Sequence, residues 1–124
     1  MASPYFSDEE LRCKHCKQQK MDPAFMDRLD SLRRKWDKPM VLTSAYRCPV
    51  HNQKVSSTGP KGPHTTGHAV DVVVRGADAL GLLVLALECG FTGIGVQQKG
   101  DVRFLHLDDL PPGPGRPRPT IWSY

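Results

Sequence analysis

Two stretches of the sequence place histidine and aspartate within otherwise apolar runs. One reads His64-Thr-Thr-Gly-His-Ala-Val-Asp71, and the other reads Phe104-Leu-His106-Leu-Asp108. Zinc is bound by imidazole nitrogens and carboxylate oxygens, and catalytic zinc sites keep an open fourth position for water beside three protein ligands. The residue types therefore indicate metal-dependent chemistry, with His64, Asp71 and His106 as the candidate ligands.

These ligands can converge if the segments that carry them are neighbouring strands. Asp71 lies among valines, and a buried carboxylate needs a charged partner or a metal. Side chains alternate along a strand, so His106 and Asp108 share a face. By the same rule His68 points away from Asp71, and we do not expect it to be a ligand. A single histidine in a strand is more often a satisfied core or surface group, and spacing alone leaves that alternative open.

Hydrophobic periodicity predicts the elements that position these residues. We predict helices over residues 22–36 and 77–89, and strands near residues 40–46, 68–74, 91–96 and 103–109. The first helix begins after a capping Asp22 and buries a stripe formed by Phe25, Leu29, Leu32 and Trp36. For the second helix the expected core stripe is Leu80, Leu83, Val84 and Leu87. Residues 47–52 are predicted to form a turn, and residues 53–67 a loop.

The order of these elements predicts an α+β fold, in which one small antiparallel sheet packs against two main helices. The chain has 124 residues, which suits one compact domain over residues 1–124. Its parts are an N-terminal cysteine-containing segment at 1–21, the body, and a proline-rich C-terminal wrap at 110–124. This C-terminal wrap is expected to pack Ile121, Trp122 and Tyr124 against the rest of the domain.

The cysteines admit three interpretations. Cys13 and Cys16 form a short knuckle, and Cys48 follows the first predicted strand. The three could bind a second, structural zinc, with His15 or His51 as the fourth ligand. The second interpretation is a disulfide, Cys13–Cys48 or Cys16–Cys48. The third is that the cysteines are simple buried thiols.

The composition of the chain limits which classes of partner are possible. The formal net charge of +4 permits an anionic partner without choosing among them, and the basic residues are dispersed. A nucleic-acid binder built on the cysteine knuckle would leave the His64–Asp71–His106 set unexplained, so we expect no nucleic acid. No stretch approaches the ~20 apolar residues of a membrane span, and no signal-peptide core follows the N-terminus. We expect a monomer that is made in the cytoplasm.

The chain resembles the D-alanyl-D-alanine carboxypeptidase family of zinc peptidases, in its compact branch common in phages and bacteria. The resemblance follows an ordered series of segments at residues 6–13, 29–33, 43–52, 62–71, 90–95 and 104–108, and ends at Trp122. It implies one catalytic zinc on His64, Asp71 and His106. It also implies hydrolysis of D-amino-acid peptides in bacterial peptidoglycan.

The same resemblance assigns further residues. Arg47 and Ser44 belong to the family's Ser-x-Tyr-Arg segment, which implies that both bind substrate and that Arg47 holds the carbonyl oxygen or a substrate carboxylate. Two positions depart from the pattern. Gly62 replaces a serine, and Arg103 occupies the position of the acidic general base. Asp108 is then the candidate base, with an orienting role toward His106 as the alternative, and Asp101 is a weaker candidate.

Two classes of function compete. The leading one is a carboxypeptidase or endolysin-like endopeptidase, which reaches the cell wall or periplasm by phage lysis or virion delivery. The alternative is a zinc-containing module that binds cell wall without cutting it. It is considered because Arg103, at the position of the general base, cannot accept a proton.

Overall fold

The structure is a computed structural model that describes residues 3–124. Its helices are α1 (Asp8–Leu11), α2 (Pro23–Trp36), α3 (Pro49–Val55) and α4 (Gly76–Glu88), with 3₁₀ turns at Gly59–Lys61 and Pro63–Thr66. Its strands are β1 (Leu42–Ser44), β2 (Ala69–Val73), β3 (Gly93–Gln97), β4 (Phe104–Asp108) and β5 (Thr120–Ser123). The α+β class is confirmed, and the predicted helices and strands all occur.

The five strands form one mixed sheet in the order β1-β2-β4-β3-β5. Four strands pair antiparallel as expected, whereas β5 runs parallel to β3. The proline-rich tail causes this difference. Asp108, at the end of β4, lies opposite Gly93, where β3 begins, and Thr120 of β5 pairs with Gly93 from the other side. The tail therefore crosses beside the start of β3 and begins a new edge strand that runs in the same direction as β3.

One face of the sheet packs against helices α2 and α4. Strands β2 and β4 contribute Val70, Val72, Leu105 and Leu107 to this core, and α2 contributes Phe25, Leu29 and Leu32. Because side chains alternate along a strand, Asp71 and His106 lie on the opposite face. No helix in residues 3–124 is long and apolar enough to cross a membrane.

The predicted core stripe of α4 was wrong. The helix buries Ala79, Leu82 and Ala86. The predicted Leu80, Val84 and Leu87 are 49–67% exposed, and Leu83 is partly buried. Both sets have helical spacing, because α4 is apolar around most of its circumference. Periodicity could not choose between them, and the stripe that is buried combines two small alanines with Leu82.

The predicted turn at residues 47–52 was also wrong, since most of it belongs to α3. Cys48 caps this helix by accepting a hydrogen bond from the His51 N–H at Sγ (3.4 Å), and Pro49 occupies the first position. Cysteine is not among the usual capping residues, so the helix start was easy to miss. The helix orients Asn52, which is fully buried.

Candidate metal centre

Strands β2 and β4 bring the predicted ligands together. Asp71 lies directly opposite His106 in the antiparallel register. His64 belongs to the 3₁₀ turn that precedes β2, and Gly67 ends this turn with a φ of 79°. Few residues other than glycine adopt that backbone, and an added Cβ would collide with the Lys20 carbonyl. Gly67 thus allows the chain to turn back so that His64 faces Asp71.

The three candidate ligand atoms form a nearly equilateral triangle. His64 Nε2 is 3.2 Å from Asp71 Oδ1, and His106 Nδ1 is 3.3 Å from each of these atoms. Bonds of 2.0–2.1 Å to a tetrahedral zinc place neighbouring ligands about 3.4 Å apart. The spacing in the protein therefore fits a zinc ion without rearrangement.

The outer nitrogens of both imidazoles have hydrogen-bond acceptors. His64 Nδ1 donates to the Ala45 carbonyl (2.8 Å), and His106 Nε2 donates to Asp108 Oδ2 (2.7 Å). In a neutral imidazole the remaining nitrogen is then an acceptor. Two nitrogen lone pairs and one carboxylate oxygen consequently face a common point, and only a positive charge there satisfies them. The donor set matches that of a zinc site, including the partners that orient each histidine.

Ionisation in the centre follows from burial and mutual contact. Burial lowers the pKa of His64, which favours the neutral ring. Burial also opposes charge on His106, but hydrogen bonds to Asp108 and Asp71 outweigh it and raise its pKa. Burial acts to raise the pKa of Asp71, yet hydrogen bonds from both histidines hold it well below its usual range. The centre therefore keeps a carboxylate and attracts positive charge.

Asp108 lies behind the centre and is completely buried. Arg118 binds it through two parallel hydrogen bonds, Nε to Oδ1 (2.9 Å) and Nη2 to Oδ2 (2.8 Å). Although burial raises the pKa of Asp108, contacts with His106 and Arg118 hold it at about 2. Sequence reasoning missed Arg118, whose only signal was an arginine between two prolines in the tail.

Arg47 stands beside the triangle. Its Nη2 lies 3.3 Å from Asp71 Oδ2, and its Nη1 donates to Asn52 Oδ1 (3.0 Å). Asn52 is in turn anchored by Thr58 Oγ1 and the Gly59 carbonyl. The guanidinium is thus held in a fixed position next to the candidate ligands.

A cavity of about 870 Å³ opens onto the centre. Its lining includes the three candidate ligands and Arg47, three more basic residues, three aromatic residues and several small ones. The basic ones are Lys61, Arg116 and Arg118, and the aromatic ones are Phe104, Trp122 and Tyr124. Among the described residues, Asp71 is the only carboxylate that lines it.

The other predicted site residues lie outside this lining. Ser44 of β1 pairs with Asp71 of β2. It is not among the described residues that line the cavity. Asp101 is exposed, and Arg103 donates to the Gly100 carbonyl (2.9 Å). His68 contacts Asp109 (2.8 Å), away from the centre, as the strand alternation predicted.

A buried triangle of two imidazoles and one carboxylate at the base of an open cavity defines a zinc-hydrolase type of centre in a small α+β domain. Comparison with known proteins identifies the family. The peptidase M15 profile matches residues 4–108, so the chain belongs to this family of D-Ala-D-Ala carboxypeptidase-type zinc peptidases. M15 peptidases use zinc, which supports a metallopeptidase. No curated protein matches the chain.

Proposed function

We propose that the protein hydrolyses peptide bonds in bacterial peptidoglycan, as a D-Ala-D-Ala carboxypeptidase or as an endolysin-like endopeptidase of the stem or cross-link. The observation that carries this proposal is the triangle of acceptor atoms, with 3.2–3.3 Å sides, at the base of the cavity. Family membership supplies the reaction type. The action takes place at the cell wall, where this substrate lies.

In this proposal His64, Asp71 and His106 hold zinc. When bound, zinc polarises the scissile carbonyl and lowers the pKa of the attacking water. Arg47 faces the same space and donates to the carbonyl oxygen or to a substrate carboxylate, because a fixed guanidinium suits either group. Asn52 keeps Arg47 in place for that contact.

Asp108 is assigned the orienting role and not that of the general base. Its carboxylate is occupied by Arg118 and His106, and its pKa of about 2 makes it a weak proton acceptor. It fixes the ring of His106 and strengthens that nitrogen as a ligand. Without a cavity carboxylate other than Asp71 in residues 3–124, the reaction forgoes a general-base contribution of roughly 10²- to 10⁴-fold.

The charge of the cavity supports an anionic peptide as substrate. Four basic side chains and one carboxylate line it, and that carboxylate belongs to the metal centre. Peptidoglycan stem peptides carry free carboxylates, which such a lining would attract. Trp122 and Tyr124 offer apolar surface for the substrate's methyl and methylene groups.

The missing base favours a second candidate function, a zinc-containing module that binds stem peptides without cutting them. Arg103 stands where relatives carry an acid, and it is engaged with the Gly100 carbonyl. The cavity and Arg47 would serve binding equally well.

Mass spectrometry of purified peptidoglycan, incubated with the protein with and without a zinc chelator, tests the proposal. We expect new peptide fragments that disappear with chelator, and their masses identify the bond. His64→Ala and Asp71→Ala should each abolish the fragments and weaken zinc binding, since each removes one of three ligands. Full activity in either variant contradicts the assigned centre. An unchanged digest in the presence of bound zinc supports the binding module instead.

A further inference from the structure

A second cluster of metal-binding groups lies at the N-terminal segment. Cys13, Cys16 and Cys48 place their sulfur atoms within 4.8 Å of one another. Bonds of 2.3 Å to a tetrahedral zinc would set such atoms about 3.8 Å apart. All three cysteines are free thiols, and Cys13 is completely buried. Three thiols gathered at this spacing are close to a metal-binding arrangement.

Backbone N–H groups donate to two of the three sulfurs. The Cys48 backbone N–H donates to Cys13 Sγ (3.3 Å), and the His51 backbone N–H donates to Cys48 Sγ (3.4 Å). Hydrogen bonds of this kind stabilise thiolates that bind a metal. His15 Nδ1 lies 3.5 Å from Cys48 Sγ, close to the roughly 3.5 Å expected between a nitrogen and a sulfur on one zinc. His15 is exposed and stacks on His51, with ring centroids 5.8 Å apart, and a turn of its ring away from His51 would bring it toward the other two sulfurs.

We propose that Cys13, Cys16, Cys48 and His15 bind a structural zinc ion. A disulfide would use two of the three sulfurs and leave the third unpaired, whereas a metal ion uses all of them. Three thiolates and one imidazole are a common donor set of structural zinc sites, and such sites are closed to substrate. This site is separate from the centre formed by His64, Asp71 and His106.

The ion would fasten the N-terminal segment to the segment that carries Arg47. Besides the contacts of the cluster itself, the two segments are joined by the Tyr46 N–H, which donates to the Leu11 carbonyl (3.2 Å), and by Lys14, which donates to the Thr43 carbonyl (2.7 Å). Cys48 follows Arg47 directly and caps α3, whose Asn52 holds Arg47. The consequence for Arg47 rests on the proposed function, but the binding of the ion does not.

Cobalt titration of the full chain, reduced and freed of metal, tests the site. Co²⁺ bound by thiolates gives a charge-transfer absorption in the near ultraviolet, which imidazole and carboxylate ligands do not give. We expect two equivalents of Co²⁺ and this absorption in the wild type. His64→Ala should retain one equivalent and the full absorption. Cys16→Ser, at a half-buried position, should lose the absorption, while Cys89→Ser, outside the cluster, should keep both equivalents.

Wild-type protein without the charge-transfer absorption overturns the proposal, and this result needs no variant to fold. An absorption that persists at full strength in Cys16→Ser also overturns it. His15→Ala should shift the cobalt spectrum and weaken binding at this site, whereas His51→Ala should not, and the reverse pattern refutes His15 as the fourth ligand. A Cys13–Cys48 or Cys16–Cys48 disulfide in the zinc-loaded chain refutes the site itself.

Discussion

At the scale of single residues, the environment of Asp108 decides its role. A general base needs access to the water it deprotonates and a pKa near the working pH. Asp108 has no exposed surface, and both of its oxygens accept hydrogen bonds from Arg118. Its other contacts are the Leu110 N–H, which donates to Oδ1 (3.3 Å), and His106 Nε2, on the side of the ring opposite the candidate metal centre. Carboxylates in this relation to a ligand histidine set ring orientation and basicity.

The variant Asp108→Asn separates the two roles. An orienting Asp108 predicts that zinc affinity falls by about 10- to 100-fold, and that saturating zinc restores most of the activity. Competition with a chromophoric chelator measures the affinity, and hydrolysis is followed against zinc concentration. Activity that stays absent at full zinc occupancy would instead identify Asp108 as the base.

Asp109→Asn is the matched control, because Asp109 contacts Arg28 and His68 and not the metal centre. Its zinc affinity should equal that of the wild type. Asp108→Asn also leaves Arg118 buried without its counter-charge, at a cost of about 3–5 kcal/mol. The assays should therefore be run well below the melting temperature of the variant.

At the scale of elements, β3 makes room for the tail. Gly93 and Gly95 lie in this strand beside the Asp108–Arg118 pair and Trp122. A Cβ on Gly93 would collide with both carboxylate oxygens of Asp108, and one on Gly95 would come within 2.7 Å of Trp122 Nε1. The absence of side chains on this strand face allows Arg118 to reach Asp108 from the tail.

The variant Gly93→Ala tests this arrangement. The new methyl group should displace the buried ion pair, and we expect a loss of about 3 kcal/mol or more in the free energy of unfolding. Zinc affinity should fall with it, because His106 loses its orienting partner. Urea denaturation and the zinc competition assay measure the two effects. A variant as stable as the wild type would show that the pair does not depend on this glycine.

Gly81→Ala provides a matched glycine control in α4. Its Cβ would make only an ordinary contact with Trp36, at 3.6 Å. Alanine in a helix interior is favoured over glycine by about 0.5–1 kcal/mol. This variant should therefore be slightly stabilised, in the opposite direction to Gly93→Ala.

The same elements explain what the sequence could predict. Asp71 and His106 interrupt apolar strands. Because burying such groups without partners is costly, their positions could be recognised from the sequence alone. The buried face of α4 was not predictable from periodicity, because two apolar stripes compete on that helix. Arg118 was missed because its partner lies across a turn of the tail, and nothing in local spacing brings it to Asp108.

At the scale of the whole molecule, the cavity lining shares the positive charge balance of the chain. The chain carries a net charge of +4, and Arg47, Lys61, Arg116 and Arg118 all line the cavity. Arg118 is neutralised by Asp108, and Arg47 is partly neutralised by Asp71. Lys61, exposed at the end of a 3₁₀ turn, forms no salt bridge in the described part of the chain. Arg116 also forms no salt bridge among these residues, but it is half-buried and donates to the Pro111 carbonyl (3.0 Å), so Lys61 is the freer of the two to attract an anionic peptide from solution.

Replacing Lys61 with glutamine should weaken the binding of stem peptides that carry free carboxylates. Two unit charges about 4 Å apart in water interact with about 1 kcal/mol, which corresponds to roughly a five-fold change in affinity. We therefore expect KM to rise several-fold in Lys61→Gln at low salt, with kcat nearly unchanged. The difference should shrink toward 1 M salt, because the Debye length falls from about 10 Å at 0.1 M to about 3 Å.

Lys54→Gln removes the same charge from the last turn of α3, outside the cavity lining, and should leave KM unchanged. If the protein binds without cutting, the same pair of variants is compared by the Kd of the stem peptide. Equal effects of the two substitutions would mean that net charge alone attracts the substrate. A change confined to Lys61→Gln, and abolished when the peptide carboxylates are amidated, would identify the cavity charge as the determinant of substrate choice.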